Sequence, residues 1–577
     1  MPPHVTLISS SPPNGVRSAW PRIFLCGFLS LIAALQSACA KREPASTAVA
    51  SRPQILRVSQ RAEPADLDPA RATIPDEFFI IRALSEGLLI PDPAGGAPLP
   101  GAAERFDVSA DGLTYTFRLR PDAKWSNGEP VIAADFVESY RRLLTPATAA
   151  PKAHLFYAVK NARAFVTGAL ADFSVVGFAA SDAHTLVVTL AAPLPRFPFY
   201  VASGPWIPVN PRVVARHGRK WTLPENFVGN GPFSLAEWRP HQRIVVKKNP
   251  AFRTAATVRL AEIQFIHLDT ADSEERAFRA GQVDVTMDVP KTKLEVYARE
   301  RPAELHRVAL AETRYLAFNS RRPPLDDARV RQALALAVDR PRLVERVLLG
   351  GQTPAANFLP PSLVVVPALA AVPSRDARDS RDPPSPGYGV ARGTPASGGP
   401  TVADAQRLLA AAGFPGGKNF PRFEITAWSS SQVATLETIQ AMWRQNLGVE
   451  ISIALREAKV HLAALAAGDY DIGFINTLLD VPDAAALLAD FTTGAPANYP
   501  HWSDPAYDAL LGELAAAPDT AARAALERRA EDFLLRAAPV APLYFNTHNW
   551  LQSPRVRGWQ EDALWARSYL HVYLDEK

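Results

Sequence analysis

The sequence predicts a mixed α/β protein with more than one domain. Strand-like and helix-like patterns alternate irregularly along the chain, and no segment repeats another. The chain has 577 residues and is 47% hydrophobic, so it can bury a large core and should divide into domains. These observations predict mixed sheets and helices whose stability comes from packing.

The clearest strand follows Asp111-Gly112, a dipeptide typical of hairpin turns. Residues 113–119 alternate apolar and polar side chains, as a half-buried strand requires. A second turn at residues 126–128 precedes a helical pattern that begins at Ala133 and places Phe136, Tyr140 and Leu143 on one face. Further strands are predicted at 56–58, 185–190, 243–248 and 263–268.

Two helices stand out further along the chain. Asp326-Asp327 is a capping pair for a helix over residues 328–338, whose apolar residues recur at helical spacing. Residues 401–412 form a second helical pattern, and Gly413 is the kind of residue that ends a helix.

The amino-terminal segment, residues 1–38, is predicted to be an export signal. Arg17 and Arg22 precede an apolar run from Ile23 to Leu35, an arrangement typical of secretory signals. The run is shorter than the about 20 residues that a membrane-spanning helix needs. We therefore expect a periplasmic or cell-envelope protein.

The fate of Cys39 has two interpretations. Ser37-Ala38-Cys39 fits a bacterial lipoprotein signal, although Gln36 stands where leucine is usual. Under this interpretation Cys39 is a lipidation site, and its lipid anchors the protein to the membrane. Alternatively, cleavage after Ala40 releases a free protein. We expect the lipid anchor. Under either interpretation the folded part has no disulfide, because Cys26 and Cys39 are the two cysteines of the chain.

The composition argues against several function classes. The chain beyond residue 38 holds 60 basic and 58 acidic residues, because the signal contributes two arginines and no acid, and basic residues do not cluster with aromatic ones. We therefore expect no nucleic-acid partner. The sequence lacks a nucleophile elbow, a phosphate loop and a paired-cysteine metal motif. We expect no enzymatic activity, no cofactor and no metal.

Two low-complexity segments interrupt the folded sequence. Residues 39–53 are small and polar, which suits a tether. Residues 367–400 are rich in proline, glycine and serine, which predicts a flexible surface tract. The tract 367–400 is assigned no site.

A series of motifs resembles the solute-binding proteins of peptide/nickel ABC importers, most closely the oligopeptide-binding members. The motifs occur in the family's order along nearly the whole mature chain. They are Leu67-Asp-Pro69, Glu86-Gly-Leu-Leu89, the run from Val108 to Val137, the run from Lys220 to Phe233, Tyr315-Leu-Ala-Phe-Asn319, the run from Pro324 to Arg340, and Asp469-Tyr-Asp-Ile472.

The resemblance implies a two-lobed periplasmic-binding-protein fold with a hinge and an extra inserted domain. Lobe I would comprise residues 54–85, 213–312 and 546–577, the extra domain residues 86–212, and lobe II residues 313–545. Such proteins bind an extended oligopeptide between the lobes and deliver it to a membrane permease and ATPase complex. A monomer is expected. The alternatives are a non-peptide ligand in the same fold, or a peptide sensor or chaperone without a transport role.

The resemblance also implies the ligand-binding residues. Asp480 matches the aspartate that pairs with the ligand's α-ammonium group, and Asn476 and Leu478 would lie along the peptide backbone. Thr477, Tyr315 and Phe474 occupy further binding positions.

Some positions depart from the family's pattern. Ala458, Leu465 and Phe474 replace aromatic or charged pocket residues, Thr477 replaces a tryptophan, and Ala317 replaces an acid. We therefore expect a less charged and less aromatic cleft with a changed ligand preference.

Overall fold

The computed structural model describes residues 53–363, 401–517 and 520–575. The predicted export signal, Cys39, nearly all of the predicted tether and the tract 367–400 lie outside the described residues. The described strands are β1 (Ile55–Gln60), β2 (Leu89–Ile90), β3 (Leu99–Pro100), β4 (Ala103–Val108), β5 (Thr114–Leu119), β6 (Phe178–Asp182), β7 (Thr185–Thr189), β8 (Phe233–Arg239), β9 (Arg243–Lys248), β10 (Glu262–His267), β11 (Leu305–Phe318), β12 (Thr353–Pro354), β13 (Phe423–Ala427), β14 (Ile451–Leu455), β15 (Ile472–Leu478), β16 (Val540–Leu551), β17 (Val556–Arg557) and β18 (Tyr573–Leu574).

The helices pack against three main sheets. They are α1 (Pro75–Leu84), α2 (Ala133–Leu144), α3 (Ala162–Val166), α4 (Phe197–Val201), α5 (Pro211–His217), α6 (Ala271–Arg279), α7 (Lys291–Glu300), α8 (Ala328–Leu336), α9 (Arg340–Leu343), α10 (Val402–Ala411), α11 (Val433–Leu447), α12 (Ala458–Ala467), α13 (Ala484–Ala489), α14 (Pro505–Ala515) and α15 (Thr520–Ala537). Among the described residues, none of these helices combines the length and apolar character that crossing a bilayer requires.

The first sheet has the strand order β1-β10-β9-β8 and lies in the predicted lobe I. Its core contains Val58, Ile80 and Phe265, and Ile80 is contributed by α1. The predicted strands at 243–248 and 263–268 are confirmed as β9 and β10, with β10 ending one residue earlier.

The second sheet, β4-β5-β7-β6, lies in the predicted extra domain. The predicted turn at Gly112 is confirmed with φ +69°, a backbone conformation that glycine adopts without strain. Tyr115, Phe117 and Leu119 of β5 are buried in alternation, as predicted. Trp125 is fully buried, and its Nε1 donates to Asp135 Oδ2 at 2.9 Å, which fixes the preceding turn against the start of α2.

The third sheet has six strands in the order β12-β16-β11-β15-β13-β14 and lies in the predicted lobe II. Asp327 caps α8 by accepting from the N–H of Arg329, as predicted, but α8 ends at Leu336 rather than residue 338. Thr401 caps α10 in the same way.

Two long strands, β11 and β16, run from lobe I into lobe II. Leu305 to Ala309 pair with Leu551 to Thr547, and Thr313 to Ala317 pair with Phe545 to Val540. The pairing is interrupted between these two stretches, which weakens the ladder locally. The interruption coincides with the predicted lobe boundary at residues 312/313 and 545/546, so we propose these strands as the hinge.

Candidate functional site

A cavity of about 400 Å³ is lined by residues of the predicted lobe I, the predicted extra domain and the predicted lobe II. Its volume is in the range that ligand-binding clefts occupy. Its wall is partly apolar, but it also carries many charged side chains. The charged residues in the wall are Arg82, Asp92, Lys152, Glu312, Arg314, Asp480 and Asp562, and the large apolar ones include Phe78, Phe79, Phe199, Leu478 and Trp565.

One edge of β15 is open beside this cavity. Strand β15 pairs with β11 along its whole length but with β13 only at Ile472 and Gly473. The N–H of Leu479 donates to Ala311 on β11, and polar backbone groups alternate in direction along a strand. The N–H and C=O groups of Asn476 and Leu478 therefore point away from β11, toward the edge that has no partner strand.

Asp480 lies just past the end of β15, and its carboxylate is bound by Lys152 of the extra domain. Lys152 Nζ lies 2.6 Å from Oδ1 and 2.8 Å from Oδ2. Lys152 is positioned by a turn of 3-10 helix over Ala153–Phe156. Its side chain is 18% exposed and that of Asp480 31% exposed, so the ion pair is largely shielded from solvent.

The segment after Asp480 fastens lobe II to the extra domain. Val481 is 2% exposed and packs into the core of the extra domain. Arg196 donates to the carbonyl oxygen of Pro482. Tyr200 donates to Asp483 Oδ2 at 2.9 Å, and Arg523 pairs with the same carboxylate at 3.1 Å. The extra domain and lobe II are therefore in contact next to Asp480.

Arg82 presents a guanidinium group to the cavity without a close acidic partner. Its described hydrogen bonds are two long ones, 3.3 and 3.4 Å, to the carbonyl oxygen of Ala202. No ion pair within 4 Å involves Arg82 in the part of the chain that the structure describes. Burial lowers its pKa, while the charges of Asp562 and Asp480 partly oppose that shift. A guanidinium has five N–H donors, so Arg82 can donate to a ligand anion in addition to these two long hydrogen bonds.

Three carboxylates near the cavity differ in their surroundings. Burial raises the pKa of Asp562 to about 6, although the N–H groups of Leu564 and Ala566 donate to it. Burial, with the nearby charge of Asp480, raises the pKa of Asp490 to about 7. Glu312, in contrast, is paired with Arg314 at 2.6 Å and accepts from Asn546 at 2.9 Å.

Of the predicted binding residues, Asp480, Asn476 and Leu478 line the cavity. Thr477 does not, because side chains alternate along β15 and its neighbours occupy the cavity face. Tyr315 is 4% exposed and packs edge to face on Phe358, in a core on the opposite face of β11 from Arg314.

Phe474 is fully buried, beside Trp428 and beneath His461 of α12. The side chains of Thr477, Tyr315 and Phe474 lie outside the cavity wall, and their role in ligand binding stays a prediction.

The expectation that the cleft is less charged and less aromatic than in the relatives stays a prediction, although the cavity wall of this chain carries charged residues of both signs. Ala458 is exposed, and Leu465 is fully buried in a core; neither residue lines the cavity. The charged residues of the cavity wall lie at other positions, on α1, in the extra domain, on β11, just after β15 and in the carboxyl-terminal segment. Sequence reasoning missed Arg82, Lys152 and Arg314. No local motif marks them, and Lys152 is 328 positions from its partner.

Comparison with known proteins agrees with this architecture. Residues 97–499 match the family model described as bacterial extracellular solute-binding proteins, family 5. The probable deoxycholate-binding periplasmic protein YgiS of Escherichia coli is 32% identical over 89% of this chain and 92% of that protein. The murein tripeptide-binding protein MppA of Escherichia coli superposes with a TM-score of 0.78 at 29% identity, covering 91% of this chain and 99% of that one.

A third similar structure, that of Haemophilus influenzae OppA, is a complex with the peptide RPPGFSPFR. Its TM-score is 0.76 at 27% identity, and the match covers 91% of this chain and 99% of the other. The match to the family model spans more than half of the chain. The chain is therefore a member of the family 5 bacterial extracellular solute-binding proteins, whose two-lobed α/β fold it shares. The relatives compared are periplasmic binding proteins.

Proposed function

We propose that this chain is the substrate-binding subunit of an ABC importer and that it captures short peptides in the cavity between its lobes. The observation that carries the proposal is the open edge of β15. A strand edge with unpaired backbone groups can accept an extended peptide as an added strand. Relatives are described as murein peptide-binding and oligopeptide-binding proteins, which supports a peptide ligand here.

The proposed binding mode separates affinity from side-chain preference. Backbone groups of Asn476 and Leu478 would pair with the peptide backbone whatever its sequence, while the cavity wall would select the side chains. A ligand in this position touches lobe I and lobe II together. Contacts to both lobes would stabilise the closed form through a movement about β11 and β16.

The proposal includes partners in the cell envelope. The loaded, monomeric receptor would deliver its ligand to a permease and ATPase complex of the inner membrane. Lipidation of Cys39 would hold the receptor near that complex. Fatty-acid labelling of cells that express the full chain tests the anchor, because a Cys39→Ser variant should lose the label.

A second candidate ligand is an amphipathic carboxylate that is not a peptide. It is favoured by the free guanidinium of Arg82 beside Phe78 and Phe79 in the cavity wall. The relative YgiS is described as probably deoxycholate-binding. Such a ligand would place its carboxylate on Arg82 and its apolar body against the aromatic rings.

Retention of a peptide library tests the proposal. The full chain, immobilised, is incubated with a random pool of tripeptides to pentapeptides, and the retained peptides are counted by mass spectrometry. A Leu478→Arg variant places a long charged side chain in the cavity and should retain at least about tenfold less. Leu462→Arg is the matched control, because Leu462 is 44% exposed and lies outside the cavity wall. Retention of deoxycholate but not of peptides would favour the second candidate.

A further inference from the structure

The pair formed by Lys152 and Asp480 has a consequence for the ligand. We infer that Lys152 is a built-in counter-ion for Asp480, so that the receptor prefers ligands whose end at this site carries an oxygen acceptor instead of an ammonium group. This inference rests on the proposed function. It names Lys152 as a specificity-determining residue and N-acylated peptides as the favoured form of ligand.

Lys152 already neutralises the Asp480 carboxylate, to which a ligand ammonium group would otherwise bind. Both carboxylate oxygens already lie within 2.8 Å of the Lys152 ammonium group. A ligand ammonium would have to displace Lys152 or share the carboxylate with it. Displacement would leave Lys152, which is 18% exposed, as an unpaired and largely buried cation. Leaving one partner of a desolvated ion pair without its counter-charge is costly.

The remaining charges favour an acceptor at the same end. Arg82 is close enough to Asp480 for the two charges to interact, and its guanidinium faces the cavity without an ion-pair partner among the described residues. Lys152 and Arg82 balance the charges of Asp480 and Asp562, so these four charges sum to zero and do not draw an ammonium group to the site. Asp562, the next carboxylate in the wall, already accepts two backbone N–H groups. An acyl carbonyl or a carboxylate suits this site, and an ammonium group does not.

Contacts between the extra domain and lobe II strengthen the preference for an oxygen acceptor. Lys152 belongs to the extra domain and Asp480 to lobe II, and the neighbouring contacts of Arg196 and Tyr200 join the same two parts. The counter-ion is therefore in place when the lobes are in contact. A ligand that leaves the pair intact keeps all of these contacts.

The test compares three forms of one peptide library, with free, acetylated or succinylated amino termini. Each form is offered in equal amounts to the immobilised full chain, and the retained peptides are quantified by mass spectrometry. The wild type should retain acetylated peptides at least as well as free ones. Lys152→Met should shift the ratio of free to acetylated peptides upward by at least about tenfold, because it exposes the charge of Asp480.

Two controls separate the charge effect from loss of structure. Lys160→Met removes an exposed lysine of the same domain and should leave the ratio unchanged. The double variant Lys152→Met with Asp480→Asn removes both charges and should return the ratio to the wild-type value. A preference for succinylated over acetylated peptides that disappears in Arg82→Gln would identify a carboxylate as the acceptor, and equal retention of the two would identify the acyl carbonyl.

The outcomes also separate this inference from the proposed function. A wild type that prefers free amino termini, or a Lys152→Met variant whose ratio does not change, overturns the inference and leaves the peptide receptor intact. Retention of none of the three library forms overturns the proposed function and the inference with it.

Discussion

Replacing Asp490 by asparagine should stabilise the protein most at alkaline pH and progressively less as the pH falls toward 4. Asp490 directly follows α13, and its charge interacts with the hydroxyl groups of Tyr315, Tyr499 and Tyr507. Burial and the charge of Asp480 raise its pKa from 3.8 to about 7. The folded state thus holds a proton that the unfolded state releases at lower pH, so stability falls as the pH rises from about 4 to about 7.

The size of the effect follows from that shift. A difference of about three pKa units corresponds to at most about 4 kcal/mol at pH 8. For a chain of this length the entropy of unfolding is on the order of 1 kcal/mol/K, so each kcal/mol moves Tm by about 1 °C. Asp490→Asn should therefore raise Tm by up to about 4 °C at pH 8.

Thermal unfolding followed by circular dichroism at pH 5 and pH 8 measures this difference. The exposed Asp532, changed to asparagine, is the matched control and should not alter Tm at either pH. A rise in Tm of equal size at both pH values would refute the reasoning, because asparagine would then stabilise the fold by a route independent of ionisation. An unchanged Tm at pH 8 would refute it as well.

Two further substitutions test buried charged side chains that stabilise the interior of one predicted lobe each. Arg331→Met should lower the free energy of unfolding, measured in urea, by about 3 kcal/mol. The reason is that the guanidinium donates to the carbonyl oxygens of Leu325, Asp326, Ala537 and Ala538. A variant as stable as the wild type would contradict this. Glu561→Gln should cost about 3 to 5 kcal/mol at pH 7, because it leaves the buried Arg567 without its counter-charge. Burial would raise the pKa of Glu561, but Arg567 and His548 hold it at about 2. The difference in the free energy of unfolding between wild type and Glu561→Gln should therefore shrink as the pH falls from about 4.5 toward 2. A difference that is undiminished at pH 2 would contradict this.

Much of the local structure could be predicted from the sequence because short-range patterns determine it. The alternation over 113–119 and the capping residues Asp327 and Thr401 gave β5, α8 and α10 with small errors at their ends. The pairing of β11 with β16 could not be predicted from such patterns. It joins segments more than 200 residues apart, and the resemblance to a family, rather than periodicity, indicated the two-lobed arrangement.

The site was predicted unevenly for a related reason. Asp480, Asn476 and Leu478 follow one strand, so a single motif locates them all. Tyr315 lies on the neighbouring strand, but on the face that packs into a core. Lys152 and Arg82 come from other parts of the fold. Only the three-dimensional arrangement shows that Lys152 pairs with the carboxylate of Asp480, which the motif predicts to bind the ligand.

The most direct test of the account is mass spectrometry of the small molecules released by denaturation from the full chain after purification from the cell envelope. We expect a set of short peptides of varied sequence, because backbone groups at the open edge of β15 would supply most of the affinity. A single non-peptide mass, or a protein that is reproducibly empty, would contradict the claim that this cavity binds peptides.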